Sequence, residues 1–442
     1  MAAGVNGAEI LGRGAKDGGI LFRRWFDALS AAPERGEKTA YVFVMGSLAE
    51  FLRSFGLHVS FPEINSLQTA VRRVAQDYLA VAEDYGYSPD VCGYVKADVG
   101  VQLRHGEHPM GRIPKPDLAV LTNACNTYVK WAEIWERLYG MPVFTLDVPG
   151  SRSAGEGPLG SSDGFERDRR YVECQLRELI PVCERVSGMK FDIGRLRETL
   201  HHANTMSAAY QRVLALNRSR PAPFNALSDG TIYLGVANAL RGTPEGSRYF
   251  EDLAEEMAYR AENRIGTLAE EKYRLIFIGV PCYPIFRRFF ELFANWGGVF
   301  VASTYLQFAA GGIDAPFRYD LARPIESLAE GLLVSVRHSM DSMFFGEREL
   351  LEAVGAFAAD GIVYHPIKSC RTVSTGLADK RRAISARCDA MSLFIESDLV
   401  DKRVVSEAQM KNRIDAFFEG LASKKMRVQA GAPAQSAALA RR

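Results

Sequence analysis

Short apolar, β-branched runs alternate along most of this chain with longer amphipathic stretches, the rhythm of βαβ units and a mostly parallel sheet. The runs predict strands at Tyr41–Met45, His58–Phe61, Leu118–Leu121 and Val143–Leu146, with helices between them. The clearest helix spans Ser66–Asp84, where Leu67, Ala70, Val71, Val74, Tyr78 and Val81 recur at helical spacing. Between about Gly164 and Gly266 the strand signal fades into helical patterns such as Arg195–Leu216. It then returns at Leu275–Ile278, Val299–Ala302, Ile362–Tyr364 and Ser392–Ile395. A last helix, Ser406–Leu421, starts with Ser406 as N-cap.

The expected fold is therefore α/β, with two doubly wound, mostly parallel-sheet domains and a helical section between them. Its divisions are a flexible lead-in over 1–19, an N-terminal α/β domain over 20–163, helices over 164–266, a C-terminal α/β domain over 267–421 and a disordered tail over 422–442. The two α/β halves are expected to be similar in structure, without an internal sequence repeat.

Composition narrows the function. The 442 residues suffice for two or three domains with ample cores. A net charge of +1 exerts no general pull on nucleic acid or an anionic membrane, so a charged ligand needs a local site. No apolar run approaches the 18 or so residues of a membrane span, and residues 1–19 contain no signal-peptide core, which predicts a cytoplasmic chain. In a reducing compartment the 7 dispersed cysteines predict no disulfide framework, and none form a C-x-x-C pair.

In open α/β sheets ligands bind beyond the carboxyl ends of the strands. That rule selects Cys125 in Thr122-Asn-Ala-Cys-Asn-Thr127, Cys282 in Gly279-Val-Pro-Cys-Tyr-Pro284 and Cys370 in Lys368-Ser-Cys-Arg371, each between a strand and a helix. There, free backbone N–H groups and the positive end of a helix favour a thiolate or an anionic cluster. Cys92 is followed by Gly93, whose small size would admit a bulky cofactor. The alternative, that each cysteine packs as a small inert hydrophobe, is kept for Cys174, Cys183 and Cys388, which fall on helical patterns. His105, His108, His201, His202 and His365 lack zinc-site spacing, and Gly155-Glu-Gly-Pro-Leu-Gly160 reads as an ordinary glycine-rich loop rather than a nucleotide motif. No phosphate-binding P-loop occurs. Glu63, directly after the second strand, is either a helix-end carboxylate or a proton-transfer group facing the same crevice. Glu396, Asp398 and Asp401 are expected to hold their turn to Arg403.

Four segments, Phe61-Pro-Glu-Ile-Asn65, Val91-Cys-Gly-Tyr-Val-Lys-Ala-Asp98, Lys368-Ser-Cys370 and Glu396-Ser-Asp-Leu-Val-Asp-Lys-Arg403, resemble the benzoyl-CoA reductase and 2-hydroxyacyl-CoA dehydratase family. The second and fourth look nearer its reductase branch, the B-type subunit, and the likeness runs from about Tyr41 to Leu421. The resemblance implies a [4Fe-4S] cluster between two α/β domains, held by Cys92, Cys125 and Cys370, with one iron left open for another ligand. Cys282 lies outside that three-ligand pattern. It further implies a homologous second cluster-bearing subunit, ATP-hydrolysing activator subunits fed by ferredoxin, and an aromatic acyl-CoA substrate in anaerobic degradation of aromatic compounds, with no nucleic-acid or membrane partner. One electron would convert the conjugated thioester to a radical anion, and Glu63 would share in proton supply. In a dehydratase the same electron would expel a hydroxyl group, an outcome the fold does not distinguish.

Overall fold

A computed structural model describes residues 10–150, 162–310, 317–340 and 346–430. The strands β1 (Thr39–Val42), β2 (His58–Ser60), β3 (Leu118–Thr122) and β4 (Val143–Leu146) form a parallel sheet in the order β2-β1-β3-β4. A second parallel sheet, from β5 (Tyr273–Gly279), β6 (Gly298–Ser303), β7 (Gly361–His365) and β8 (Met391–Phe394), has the order β6-β5-β7-β8. The two orders are equivalent, and the similarity expected of the two halves is present. Tyr41 pairs with Ala119 in the first sheet and Ile276 with Ile362 in the second.

β1, β3, β5 and β7 are buried at every position. Strands covered by helices on both faces have this continuous apolar character, which explains why these four were visible in the hydrophobic pattern. Between the sheets, four helices span Ser162–Ser187, Ile193–Leu216, Ser228–Ala239 and Pro244–Glu262. One large hydrophobic cluster runs from the first sheet through these helices to the second sheet. Among the described residues no helix is long and apolar enough to cross a membrane.

Helical bounds depart from expectation in three places. The expected Ser66–Asp84 helix is two, Pro62–Val71 and Ala75–Asp84, because the chain turns through Arg73 at a φ of 64°. A helix spans Arg13–Ala31, beginning inside the segment expected to be flexible. Its glycines allow close packing, since a Cβ on Gly14 would lie 2.3 Å from Leu253 and one on Gly18 2.7 Å from the Tyr249 hydroxyl. The last helix continues to Gln429, with Lys425 bonded to the Lys272 carbonyl, paired with Asp360 and seated over the Tyr273 ring. The glycine-rich Gly155–Gly160 segment lies outside the described residues.

A buried ion pair ties the first sheet's layer to the central helices. Glu50 and Arg241 are both almost fully buried and hydrogen-bonded to each other, and Arg241 also donates to the Ala310 carbonyl and the Tyr319 hydroxyl. Arg241→Met, which strands the Glu50 carboxylate, should cost about 3–5 kcal/mol in urea unfolding. Adding Glu50→Met should restore most of that loss, and an additive double variant would show that the charge pairing is not its cause.

Candidate active site

In both sheets the topological switch lies between the first and third strands, β1 and β3 in one, β5 and β7 in the other. The loops leaving β1, β3, β5 and β7 open toward one shared cavity of about 430 Å³, lined by Met45, Cys125, Val280 and Cys370 among others. Cys92 and Glu63 line the same space. The structure thus brings together all four residues singled out for the site.

Contacts on either side of Cys370 hold the three cysteine loops in register. Ser369 Oγ accepts a hydrogen bond from the Gly93 N–H at 3.1 Å and donates to Asp398. Thr372 Oγ1 lies 3.3 Å from the Cys125 sulfur and 3.1 Å from Asn126 Oδ1. Gly93 allows this approach, because a Cβ there would sit 2.9 Å from Asp398 Oδ1. Of these three carboxylates Asp401 alone binds Arg403; Asp398 holds the turn by accepting from the Val400 and Asp401 N–H groups and also anchors the Cys370 loop through Ser369, while Glu396 is exposed.

The motif residues around Cys92 are braces. Lys96 and Arg403 share Glu83, joining two of the four resembling segments in one ion-pair network. Asp98, buried, accepts from Trp131 Nε1 and Trp135 Nε1, each at 2.7 Å, and so fixes the Cys92 helix against the one that follows Cys125.

Cys92 and Cys370 each precede the first residue of a helix. No cap hydrogen bond closes at either, yet the N–H groups of Tyr94 and Val95 lie near enough to Cys92 to favour its thiolate, as those of Thr372 and Val373 do at Cys370. Against them, burial pushes both thiols up, Cys370 to about 11, and the neighbouring cysteines push in the same direction. Thiols gathered without a cation, as around Cys92 and Cys370, resist ionisation, a cost that bound iron would remove. Among the described residues no three His, Cys, Asp or Glu side chains converge on a point where a single ion would sit. The three cysteines do line one cavity, and thiol sulfurs are the donors that an iron–sulfur cluster takes. Cys282 is buried outside the cavity lining and its thiol meets Ser397. Cys174 is exposed, Cys183 buried in its helix, and Cys388 follows rather than occupies a helix. His365 is bonded to the Val280 carbonyl and Ser397, and His202 to Ser247.

Glu63 sits in the first turn of its helix, 4% exposed. Its Oε1 accepts from Tyr128 Oη at 2.6 Å and from the Val44 N–H at 3.3 Å, while Oε2 has no partner. Burial raises its pKa to about 7, against the lowering effect of Tyr128. A carboxylic acid so poised can give or take a proton near neutrality.

Sequence reading missed the hydroxyls around it. Tyr283 Oη donates to Tyr305 Oη at 2.6 Å, and the Tyr94 hydroxyl stands in their field without a well-formed hydrogen bond of its own. Burial raises all three tyrosines, so they remain neutral donors. Of these, Tyr94 fell in a motif and Tyr283 in the loop after β5 that also carries Cys282, while Tyr305 comes from a separate segment with no local signal. The remaining wall is apolar and aromatic, with Phe22, Tyr128, Trp131 and Phe286 prominent.

This fold, with cysteine loops of two parallel sheets facing one apolar cavity, agrees with the family match: residues 47–421 fit the 2-hydroxyglutaryl-CoA dehydratase D-component model, and the chain belongs to that family. The expected family and the oxidoreductase class are both supported. Among its relatives, the B-type subunit of the Thauera aromatica benzoyl-CoA reductase is 36% identical over 413 residues, covering 90% of this chain and 92% of that protein. The (R)-phenyllactyl-CoA dehydratase alpha subunit of Clostridium sporogenes is 27% identical, covering 89% and 92%. The alpha subunit of the Acidaminococcus fermentans (R)-2-hydroxyglutaryl-CoA dehydratase is 23% identical, covering 89% and 94%.

Proposed function

We propose that the chain is the cluster-bearing subunit of an ATP-dependent reductase that dearomatises benzoyl-CoA or a similar aryl-CoA. The observation that carries this reading is the convergence of Cys92, Cys125, Cys370 and Glu63 on one aromatic-walled cavity. The likeness to the Thauera aromatica protein, 36% against 27% for the phenyllactyl-CoA enzyme, favours reduction over dehydration. The partners are a homologous second subunit and ATP-hydrolysing activator subunits supplied by ferredoxin, with the chain acting in the cytoplasm.

Cys92, Cys125 and Cys370 would hold a [4Fe-4S] cluster. When bound, the cluster supplies single low-potential electrons. The overall change adds two electrons and two protons to the ring, giving a cyclic dienoyl-CoA. The apolar wall keeps water from the reducing substrate, which strengthens every polar contact within the cavity. Tyr94 Oη, a neutral donor, hydrogen-bonds the thioester oxygen as negative charge builds there. Glu63, protonated at Oε2, gives its proton to the reduced acyl group, and Tyr128 steadies the carboxylate left behind.

With partner subunit, reduced activator and ATP, the protein should consume benzoyl-CoA and form a dienoyl-CoA, followed by mass spectrometry. Consumption of 2-hydroxyacyl-CoA alone would make it a dehydratase, the activity named for the Clostridium sporogenes relative.

A further inference from the structure

Asp398 lies in the Glu396–Arg403 motif, and the mechanism above gives it no role. It is 1% exposed, and each of its carboxylate oxygens meets two donors. Oδ1 accepts from the Val400 and Asp401 N–H groups at 2.9 and 3.0 Å, and Oδ2 from the Ser369 N–H at 3.1 Å and the Ser369 hydroxyl at 2.5 Å. Its hydrogen-bond partners are thus all donors, the partners a carboxylate takes. Arg403, just downstream, goes to Asp401 and Glu83 instead, and among the described residues no cation pairs with Asp398.

The side chain stands between two of the cysteine loops. Ser369 precedes Cys370 and Gly93 follows Cys92; Ser369 Oγ takes the Gly93 N–H, and a Cβ on Gly93 would lie 2.9 Å from Asp398 Oδ1. One carboxylate therefore rests against backbone adjoining both thiols. Its field reaches Cys370, whose thiol is raised by burial first and by the Cys125 and Asp398 charges after it. Holding a turn needs no charge, since asparagine and serine also bond their own backbone two residues on, whereas a buried charge without a counter-ion carries a desolvation cost.

We propose that Asp398 is a positioning residue whose charge, fixed between the Cys92 and Cys370 loops, lowers the reduction potential of the cluster those cysteines hold. The inference rests on the cluster reading and adds to it what tunes the group. One electron taken from the activator makes the bound cluster one unit more negative, with no bond formed or broken, and a neighbouring negative charge in a buried setting disfavours that state. The electron is then easier to pass to the acyl group.

A redox titration followed by electron paramagnetic resonance tests this without turnover. The complex with its partner subunit, isolated anaerobically, is compared with Asp398→Asn, Asp398→Ser and Asp398→Glu, and the resonance lost in Cys370→Ala identifies this chain's cluster. In Asp398→Asn its midpoint should become more positive by about 59 mV, a tenfold rise in the ratio of reduced to oxidised cluster at fixed solution potential. Asp398→Ser, whose hydroxyl can still accept from the Val400 N–H, should move it likewise, and Asp398→Glu, which keeps the charge, should leave it near the unaltered value. An unmoved midpoint in a neutral variant that retains its iron overturns the proposal, and so does an equal shift in Asp398→Glu. Loss of fold or of iron from both neutral variants overturns it too, because Asp398 would then only hold the loops. Absence of the resonance from the unaltered protein overturns the cluster reading as well, whereas an unmoved midpoint overturns this inference alone.

Discussion

Isolated anaerobically with its partner subunit, the protein should yield about four irons for this chain's cluster, and Cys92→Ala, Cys125→Ala or Cys370→Ala should each remove most of them. Three thiolates are few for four irons, so losing one leaves two attachment points on a group that the surrounding apolar wall cannot otherwise grip. The fold should withstand each change. Neither Cys92 nor Cys370 closes a cap hydrogen bond, and without Cys125 the Thr372 hydroxyl keeps Asn126. Cys282→Ala is the internal control: that thiol lies outside the cavity lining, so iron should be unchanged. Iron content and cluster absorbance, read beside circular dichroism, decide the matter. Full iron in any of the three variants, or an active iron-free protein, would remove the cluster from the proposal.

Such an experiment also tests how much of the site was legible from the chain. Cys125 and Cys370 were reachable by physics alone, because buried parallel strands announce themselves as continuous apolar runs and their carboxyl ends then locate the loops. Cys92 was not reachable by that rule, since it opens a helix instead of following a strand, and only its small neighbour Gly93 and the surrounding motif pointed to it. Cys282 shows the rule overreaching, as it follows β5 like the others but its thiol meets Ser397. The break at Arg73 escaped notice because Val71 and Val74 carry the helical period across it and no glycine or proline marks the turn. The helix from Arg13 escaped for the opposite reason: its glycines argue against a helix locally, and packing on Leu253 and Tyr249 overrides them. The pairing of Tyr283 with Tyr305 acquires meaning only once distant elements converge, and no one-dimensional pattern encodes that convergence.

Glu63→Gln should slow turnover by about 10²–10⁴-fold while leaving iron in place, because the amide keeps the shape of the acid but has no acidic proton to deliver. The pH dependence carries the sign. The folded carboxyl titrates near 7, above its ordinary 4.5, so its acid form predominates below neutrality and turnover should fall as pH rises through about 7. That limb should be absent from the residual activity of the variant. The same titration moves stability. A carboxyl whose pKa is raised on folding favours the native state fully below about 4.5 and loses that advantage as pH climbs to 7, a difference of roughly 3 kcal/mol for a shift of this size. Above pH 7 the unaltered protein therefore carries a buried charge that Gln does not, so the variant should unfold at higher denaturant at pH 8 and show no such gain at pH 5. Tyr128 can still donate to the Gln oxygen, which keeps the local structure intact. Lower activity joined to higher stability at alkaline pH marks a residue retained for proton supply, at a cost to the fold. Unchanged turnover, or a variant less stable at pH 8, would make Glu63 a structural carboxylate.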